Sequence, residues 1–288
     1  MPGTRGSDSR ERRGAQPPYG RCVSVRRIIT TVVRISILGS GSGGNCTLVS
    51  TERTHVLIDA GFSRRETLKR LALAGESIDA VDAILISHEH TDHINGLPRL
   101  ASQWKSPVFL NARTRLALGA TGEELPRVEP FVVGQTFTVG DITINSFTIP
   151  HDAADPVGFT FEAEGIKIAL VTDLGYMPEN VRDAVRGAHC LILESNHDLE
   201  MLKLGPYPWS LKQRVLSRVG HLSNDGLAEF LQGDFDGAAA HLVLAHLSEN
   251  NNLPEVALLS AQQALERRPT PPQVQVAPQD RPLASIVF

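Results

Sequence analysis

The sequence is short of cysteine and of long apolar runs, and each shortage removes a class of protein. Its three cysteines, Cys22, Cys46 and Cys190, are far apart, odd in number and without a C-x-x-C spacing. That argues against a disulfide framework and against a cysteine-based zinc knuckle, and a reducing cytoplasm is the compartment that fits. No apolar stretch approaches the roughly 20 residues needed to cross a membrane. The most hydrophobic early segment, VSVRRIITTVVRISIL, is interrupted by Arg26, Arg27 and Arg34. Neither a cleaved secretory signal nor a membrane partner is expected.

Positive charge is also scarce outside the first residues. The formal net charge is −4, yet residues 1 to 34 carry eight arginines against Asp8 and Glu11, which leaves 20 basic and 30 acidic residues for the rest. A net-acidic body is a poor non-specific coat for nucleic acid, although a local basic track beside a site remains compatible with it. With 288 residues, 41% hydrophobic and 21% charged, the chain has the make-up of an ordinary globular protein.

Residues 1–27 are rich in Gly, Pro, Ser and Arg without a hydrophobic period and read as a disordered basic tail, followed by one domain over 28–288. Strand-like runs, VVRISIL, CTLVS and THVLIDA, surround a Gly-rich turn, GSGSGGN. A helix follows, with Ser63 as N-cap, Glu66 as the capping-box partner and Gly75 as the stop. Later runs form hairpins turned at Val139-Gly140-Asp141 and Glu164-Gly165, then strands alternate with helices such as PENVRDAVRG, SNDGLAEFLQG and PEVALLSAQQALERR. No internal sequence repeat or linker is visible. The pattern predicts a helix-flanked sheet sandwich in a single domain.

One loop stands out. In ILISHEHTDHINGL, residues 84–97, His88, His90, Asp92 and His93 fall within six positions directly after an apolar strand. His88 and His90 are two apart on an extended segment and point to the same side, so they can share one metal ion. Asp92 and His93 lie on the turn beyond and can face a second ion a few ångströms away. A solvated histidine-rich loop is the plain alternative. Glu89, between two ligands, should point away.

The HEHTDH motif resembles that of the metallo-β-lactamase fold superfamily, and the resemblance runs over most of residues 33 to 265. It implies an α/β, four-layer αββα sandwich. It also matches Asp59 in LIDAG, His151 in TIPHDAADPVG, Asp173 in LVTDLGY and His246 in LVLAHLSENNN to the remaining motifs. Carried over, one metal is held by His88, His90, His151 and Asp173, and another by Asp92, His93, Asp173 and His246, with Asp92 also counted among the catalytic groups. Asp59 is expected to orient a ligand histidine. His221 in VGHLSNDG resembles the proton-donating His of the tRNase Z branch, and Glu194 in LILESNHD its carboxylate partner; a His made more basic by a carboxylate can protonate a leaving alkoxide.

Further phrases, LGSGSGGN, ESNHDLEMLKLGPYPWSLKQRVLSRVGHLSN and HLSENNNLPEVA, are similar to the YycJ/WalJ-type branch, metal-dependent exonucleases linked to DNA repair. Cys46 stands where Ser is usual, and the Arg-rich tail has no counterpart there. Asp173 and His246 are 73 positions apart, which leaves no room for a large inserted cap. The resemblance implies two divalent ions, Zn²⁺ or Mn²⁺ with Fe²⁺ also suited to such ligands, and a DNA substrate with a free 5′ end cut in the 5′-to-3′ direction. Lys212 and Arg214, between the Glu194 and His221 motifs, are candidates for a phosphate track, as are Asn45, Ser248 and Asn251 for hydrogen bonds to phosphate. Two rival readings stay open: a hydrolase of small phosphodiesters or cyclic nucleotides with the same fold, and a regulatory protein that has lost its chemistry. Oligomeric state is not readable.

Overall fold

The computed structural model describes residues 3–4, 32–104 and 106–288. The expected basic tail and its boundary at residue 27 lie outside these, apart from Gly3 and Thr4. Alternating apolar residues build the first strands, β1 (Arg34–Gly39), β2 (Cys46–Ser50) and β3 (His55–Ile58), which form an antiparallel meander. Helix α1 (Arg64–Leu73) starts as predicted, with Ser63 Oγ accepting from the Glu66 amide at 3.4 Å. The Glu66 carboxylate turns instead to Arg70, whose Nε donates to it at 2.9 Å.

Three parallel additions complete this side of the molecule: β4 (Ala83–Leu85), β5 (Val108–Leu110) and β6 (Val128–Pro130). Between them lie the short helices α2 (Thr91–Ile94), α3 (Leu97–Ala101), α4 (Ala112–Ala117) and α5 (Ala120–Glu124). The second sheet runs in chain order: β7 (Thr136–Val139), β8 (Ile142–Thr148), β9 (Val157–Ala163), β10 (Ile166–Val171), β11 (Cys190–Glu194), β12 (His241–Ala245) and β13 (Gln273–Val276). Its helices are α6 (Glu179–Val185), α7 (Leu199–Leu204), α8 (Trp209–Val215), α9 (Asn224–Gly233) and α10 (Pro254–Leu265). Pro178 is the N-cap of α6. The final strand, β14 (Ile286–Val287), returns to the first sheet and pairs with β1.

Both seven-stranded sheets repeat one plan. Read from the β14 edge and the β7 edge, three antiparallel pairings are followed by three parallel ones. The sequence carries no visible repeat, yet the topology does.

Three apolar layers follow from the period-2 alternation of these strands. Ile35, Ile37, Val56, Ile58 and Leu85 of the first sheet meet Ile144, Phe159, Ile192 and Val243 of the second. The opposite faces go to helices: Leu57 and Ile84 pack with Leu71 and Leu100 on one side, and Leu191 and Leu244 pack with Val181, Phe230 and Ala261 on the other. The result is the expected αββα sandwich, and the described residues from 32 onward belong to one compact unit. Among the described residues no helix is long and apolar enough to cross a membrane.

Candidate metal centre

In parallel sheets, ligands gather beyond the carboxyl ends of the strands. Here β3 runs into Asp59, β4 into Ser87 and His88, β10 into Asp173, β11 ends at Glu194, and β12 runs into His246. Asp59, Asp173 and His246 have φ of 60°, 64° and 55°, a left-handed turn that costs a non-glycine residue roughly 1–3 kcal/mol. The turn bends each side chain off the strand axis towards the sheet edge. The HEHTDH loop is drawn tight against this edge. The Asp92 carbonyl accepts from the Asn45 amide at 2.8 Å, and a Cβ on Gly61 would lie 1.7 Å from the same oxygen.

Each buried histidine of the cluster has its Nδ1 engaged, which fixes the ring and turns Nε2 inward. His93 Nδ1 lies 2.8 Å from Asp59 Oδ2, His246 Nδ1 2.7 Å from Glu194 Oε1, His151 Nδ1 3.1 Å from the Gly220 carbonyl, and His88 Nδ1 3.0 Å from Ser87 Oγ. Inside the cluster, His151 Nε2 faces His90 Nδ1 at 3.2 Å, and His246 Nε2 faces Asp92 Oδ2 at 3.2 Å. Asp173 reaches His93 Nε2 at 3.2 Å through Oδ2 and His151 Nε2 at 3.8 Å through Oδ1. Glu89 points away, accepting from the Ala154 amide at 2.7 Å.

Three overlapping donor groups result, His88–His90–His151, Asp92–His93–Asp173–His246 and Asp173–Glu194–His221–His246, with the potential ligand atoms of each within 4.8 Å of one another; the third shares Asp173 and His246 with the second. His88 Nε2 is buried without a hydrogen bond, and Asp173 Oδ2 has the His93 ring as its neighbour. Unpaired buried polar atoms are costly, and imidazole nitrogens with carboxylate oxygens are the donors that divalent ions take. The residues therefore fit a pair of divalent metals.

Glu194 is more than a partner for His221. Its Oε1 accepts from His221 Nδ1 at 2.8 Å as well as from His246 Nδ1, and its Oε2 accepts from the amides of Leu174 and Leu222 at 2.9 and 3.0 Å. Burial alone would raise this carboxyl, but the charges and hydrogen bonds of His221 and His246 hold it at about 2. Burial pulls the His221 ring the other way, and the Glu194 carboxylate outweighs it, so His221 sits above its ordinary value. Its side chain is 22% exposed, against 0% for Glu194, and the nitrogen opposite Nδ1 is the one left to act.

The structure places the expected phosphate contacts differently from one another. Asn45 is buried, and its Nδ2 lies 3.2 Å from Asp92 Oδ2 and 3.1 Å from His93 Nε2, so it braces the loop instead of facing a groove. Ser248 and Asn251 are buried and bonded to each other. Lys212 is buried with its Nζ donating to the Lys203 carbonyl at 2.7 Å, which removes it from a phosphate track. Arg214 is exposed but paired with Asp152, beside His151. Sequence reasoning passed over Ser87, which bonds Asp59 and His88, Ser40, which accepts from the His246 amide, and Asn196, which donates to the His246 carbonyl. Ser87 directly precedes the first ligand, a position that could have signalled it.

Two stacked sheets covered by helices, with His/Asp donors converging where their parallel strands end, define a metallo-β-lactamase-type metal centre. Residues 54–247 match the family described as a β-lactamase superfamily domain, and the chain belongs to that superfamily. It is 40% identical over 238 residues to the exodeoxyribonuclease YycJ of Bacillus anthracis, covering 82% of this chain and 90% of the relative. With the exodeoxyribonuclease WalJ of Streptococcus pneumoniae (strain D39) it shares 38% identity over 229 residues, covering 78% and 85%. A solved structure of the same fold, YhfI of Bacillus subtilis, superposes with a TM-score of 0.68 at 17% identity, covering 89% of this chain and 99% of that one.

Proposed function

We propose that this protein is a cytoplasmic exodeoxyribonuclease that hydrolyses phosphodiester bonds from a DNA 5′ end, in the service of DNA repair. The observation that carries the reading is the Glu194–His221 pair set against the metal centre, 2.8 Å apart, with the His221 side chain 22% exposed and so open to an incoming substrate on one side. The relatives named exodeoxyribonucleases, at 38–40% identity over most of both chains, support it. Residues 28–288 form the working domain, and residues 1–27 a basic extension to it.

His88, His90 and His151 would hold one divalent ion and Asp92, His93 and His246 the other, with Asp173 between them; Zn²⁺ and Mn²⁺ both suit these donors. Such ions supply an activated water at neutral pH and offset charge on the phosphoryl oxygens. The chain's own contribution is positional and acid–base. Asp59, Glu194, Ser87 and the Gly220 carbonyl hold the ligand rings in register. As the water oxygen bonds to phosphorus and the P–O3′ bond breaks, His221 gives its proton to the departing 3′ oxygen, and Glu194 steadies the ring. The remaining strand keeps a 5′-phosphate and the released unit a 3′-hydroxyl.

The internal pairing of Lys203, Lys212 and Arg214 favours a second reading, a hydrolase of small phosphodiesters, because it ties up three of the four cations between Glu194 and His221. Strands labelled at either end, incubated with the protein and Zn²⁺ or Mn²⁺, separate the two. Stepwise loss of the 5′ label supports the exonuclease, whereas intact DNA alongside rapid cleavage of bis(4-nitrophenyl) phosphate overturns it.

A further inference from the structure

Beside His221 lies a cavity of about 470 Å³ that the metal centre does not use. The volume falls within the roughly 300–1,000 Å³ of small-molecule sites. Its apolar lining comes from Tyr176, Met177, Leu199, Leu216, Leu222 and Phe230. Arg218 stacks on the Tyr176 ring with its guanidinium carbon 4.1 Å from the centroid, which braces one face of a ring that lines the cavity.

The polar lining is acceptor-rich. Asp225, Glu229 and Asp234 face the cavity against one guanidinium, Arg182, which is already paired with Asp234 at 2.7 Å. His197 also lines it, is 1% exposed and has an Nε2 without a hydrogen bond. Burial pushes that ring down to about 4, so it is neutral at pH 7. Its Nδ1 lies 3.4 Å from Asn196 Oδ1, whose own amide nitrogen is spent on the His246 carbonyl. A proton on Nδ1 leaves Nε2 as an acceptor. Carboxylates and a neutral acceptor repel a phosphate and receive hydroxyl and amino donors, while the aromatic and aliphatic walls suit a flat base.

We infer that this cavity receives the nucleoside portion, sugar and base, of the terminal nucleotide that leaves from His221, with the 5′-phosphate kept outside it in solvent. The inference rests on the exonuclease reading, and within it the geometry agrees: the departing 3′ oxygen is on the His221 side, and the unit attached to that oxygen must lie where His221 opens. Recognition by stacking and by general acceptors tolerates any base, as an enzyme that trims a strand of arbitrary sequence requires.

The test uses the full chain loaded with Zn²⁺. Tyr176→Ala should raise the KM for single-stranded DNA about tenfold with kcat little changed, Tyr176→Phe should restore it, and melting temperature and metal content should be the same in all three proteins. Strands with 5′-hydroxyl and 5′-phosphate ends should differ less than about threefold in KM. Deoxyadenosine and thymidine should each shift the His197 ring signals in a nitrogen-correlated NMR titration, and inorganic phosphate should leave them in place. A phosphate that moves His197 while nucleosides do not, or a Tyr176→Ala protein with unchanged KM, overturns the inference. If nucleosides bind His197 but no DNA is trimmed, the cavity stands and the exonuclease reading falls.

Discussion

Replacing His221 and replacing Glu194 should injure the protein in different ways. His221→Ala removes a proton donor that touches no other ring nitrogen of the cluster at hydrogen-bond distance, so turnover should fall about 10²- to 10⁴-fold while elemental analysis still finds two metals per chain. Glu194→Gln loosens His221 and His246 together, because one carboxylate oxygen accepts from both. It should lower turnover and also weaken metal retention about 10- to 100-fold, read by competition with a chelator. Asp59→Ala, which frees His93 Nδ1, should lose metal without touching the proton donor. The histidines and aspartates that gather at the sheet edge were legible in the sequence because their loops follow apolar strands. The sharing of Glu194 was not, since it arises from the parallel register that sets Glu194 opposite Ala245 and so brings His246 beside it. Lys212 misled because charge is visible in a sequence and its anchoring to a carbonyl is not.

At the level of elements, the two sheets are clasped where their hairpins meet. Thr51 Oγ1 and Arg53, in the β2–β3 turn, donate to the Asp141 carboxylate in the β7–β8 turn, at 2.9 and 3.0 Å, and the Asp141 amide donates to Thr54 Oγ1. Gly140 has a φ of 54°, and a Cβ there would meet Thr54 Oγ1 at 2.0 Å, so the turn needs glycine twice over. Burial would raise the Asp141 carboxyl, but the bonds from Thr54, Thr51 and Arg53 hold it below its ordinary value. Folded protein thus binds a proton less readily here than unfolded chain. The clasp contributes fully above the ordinary Asp range, near pH 4, and its contribution fades as pH falls through and below it. Asp141→Ala should cost about 1 kcal/mol in urea unfolding at pH 7, and the gap between mutant and parent should shrink towards pH 3. The hairpins were plain in the sequence from their Gly turns. The helices α2 to α5, of four to six residues, and the two- and three-residue strands β14 and β6 were not, being too short to show a period.

The whole molecule is two copies of one topological plan packed face to face, and its halves are unequal in how they close. The second sheet is built from consecutive strands, whereas the first borrows β14 from the far end of the sequence. That strand is held by paired main-chain bonds between Val33 and Phe288 at 3.3 and 2.9 Å, by Leu283 to Ile37 at 2.9 Å, and by the Ser36 and Ser285 hydroxyls at 2.8 Å. Deleting residues 285–288 uncovers Ile35 and the edge of β1, and should lower stability by at least about 2 kcal/mol at net values near 1 kcal/mol per hydrogen bond. Thermal unfolding of the truncated protein, with its metal content measured alongside, checks this. An unchanged melting temperature would show that β14 is ornamental to the sheet.

β14 also sets a clock for the ribosome. Translation at about 5–20 residues per second takes on the order of 10–50 s to travel from β1 to its edge partner. Throughout that interval a nascent chain carries an open strand, and His246, the last of the cluster, emerges only near the end of it. The first donor group, His88–His90–His151, is therefore in place well before the second, which waits for His246, and the β1 edge stays unpaired until Ile286 and Val287 have emerged.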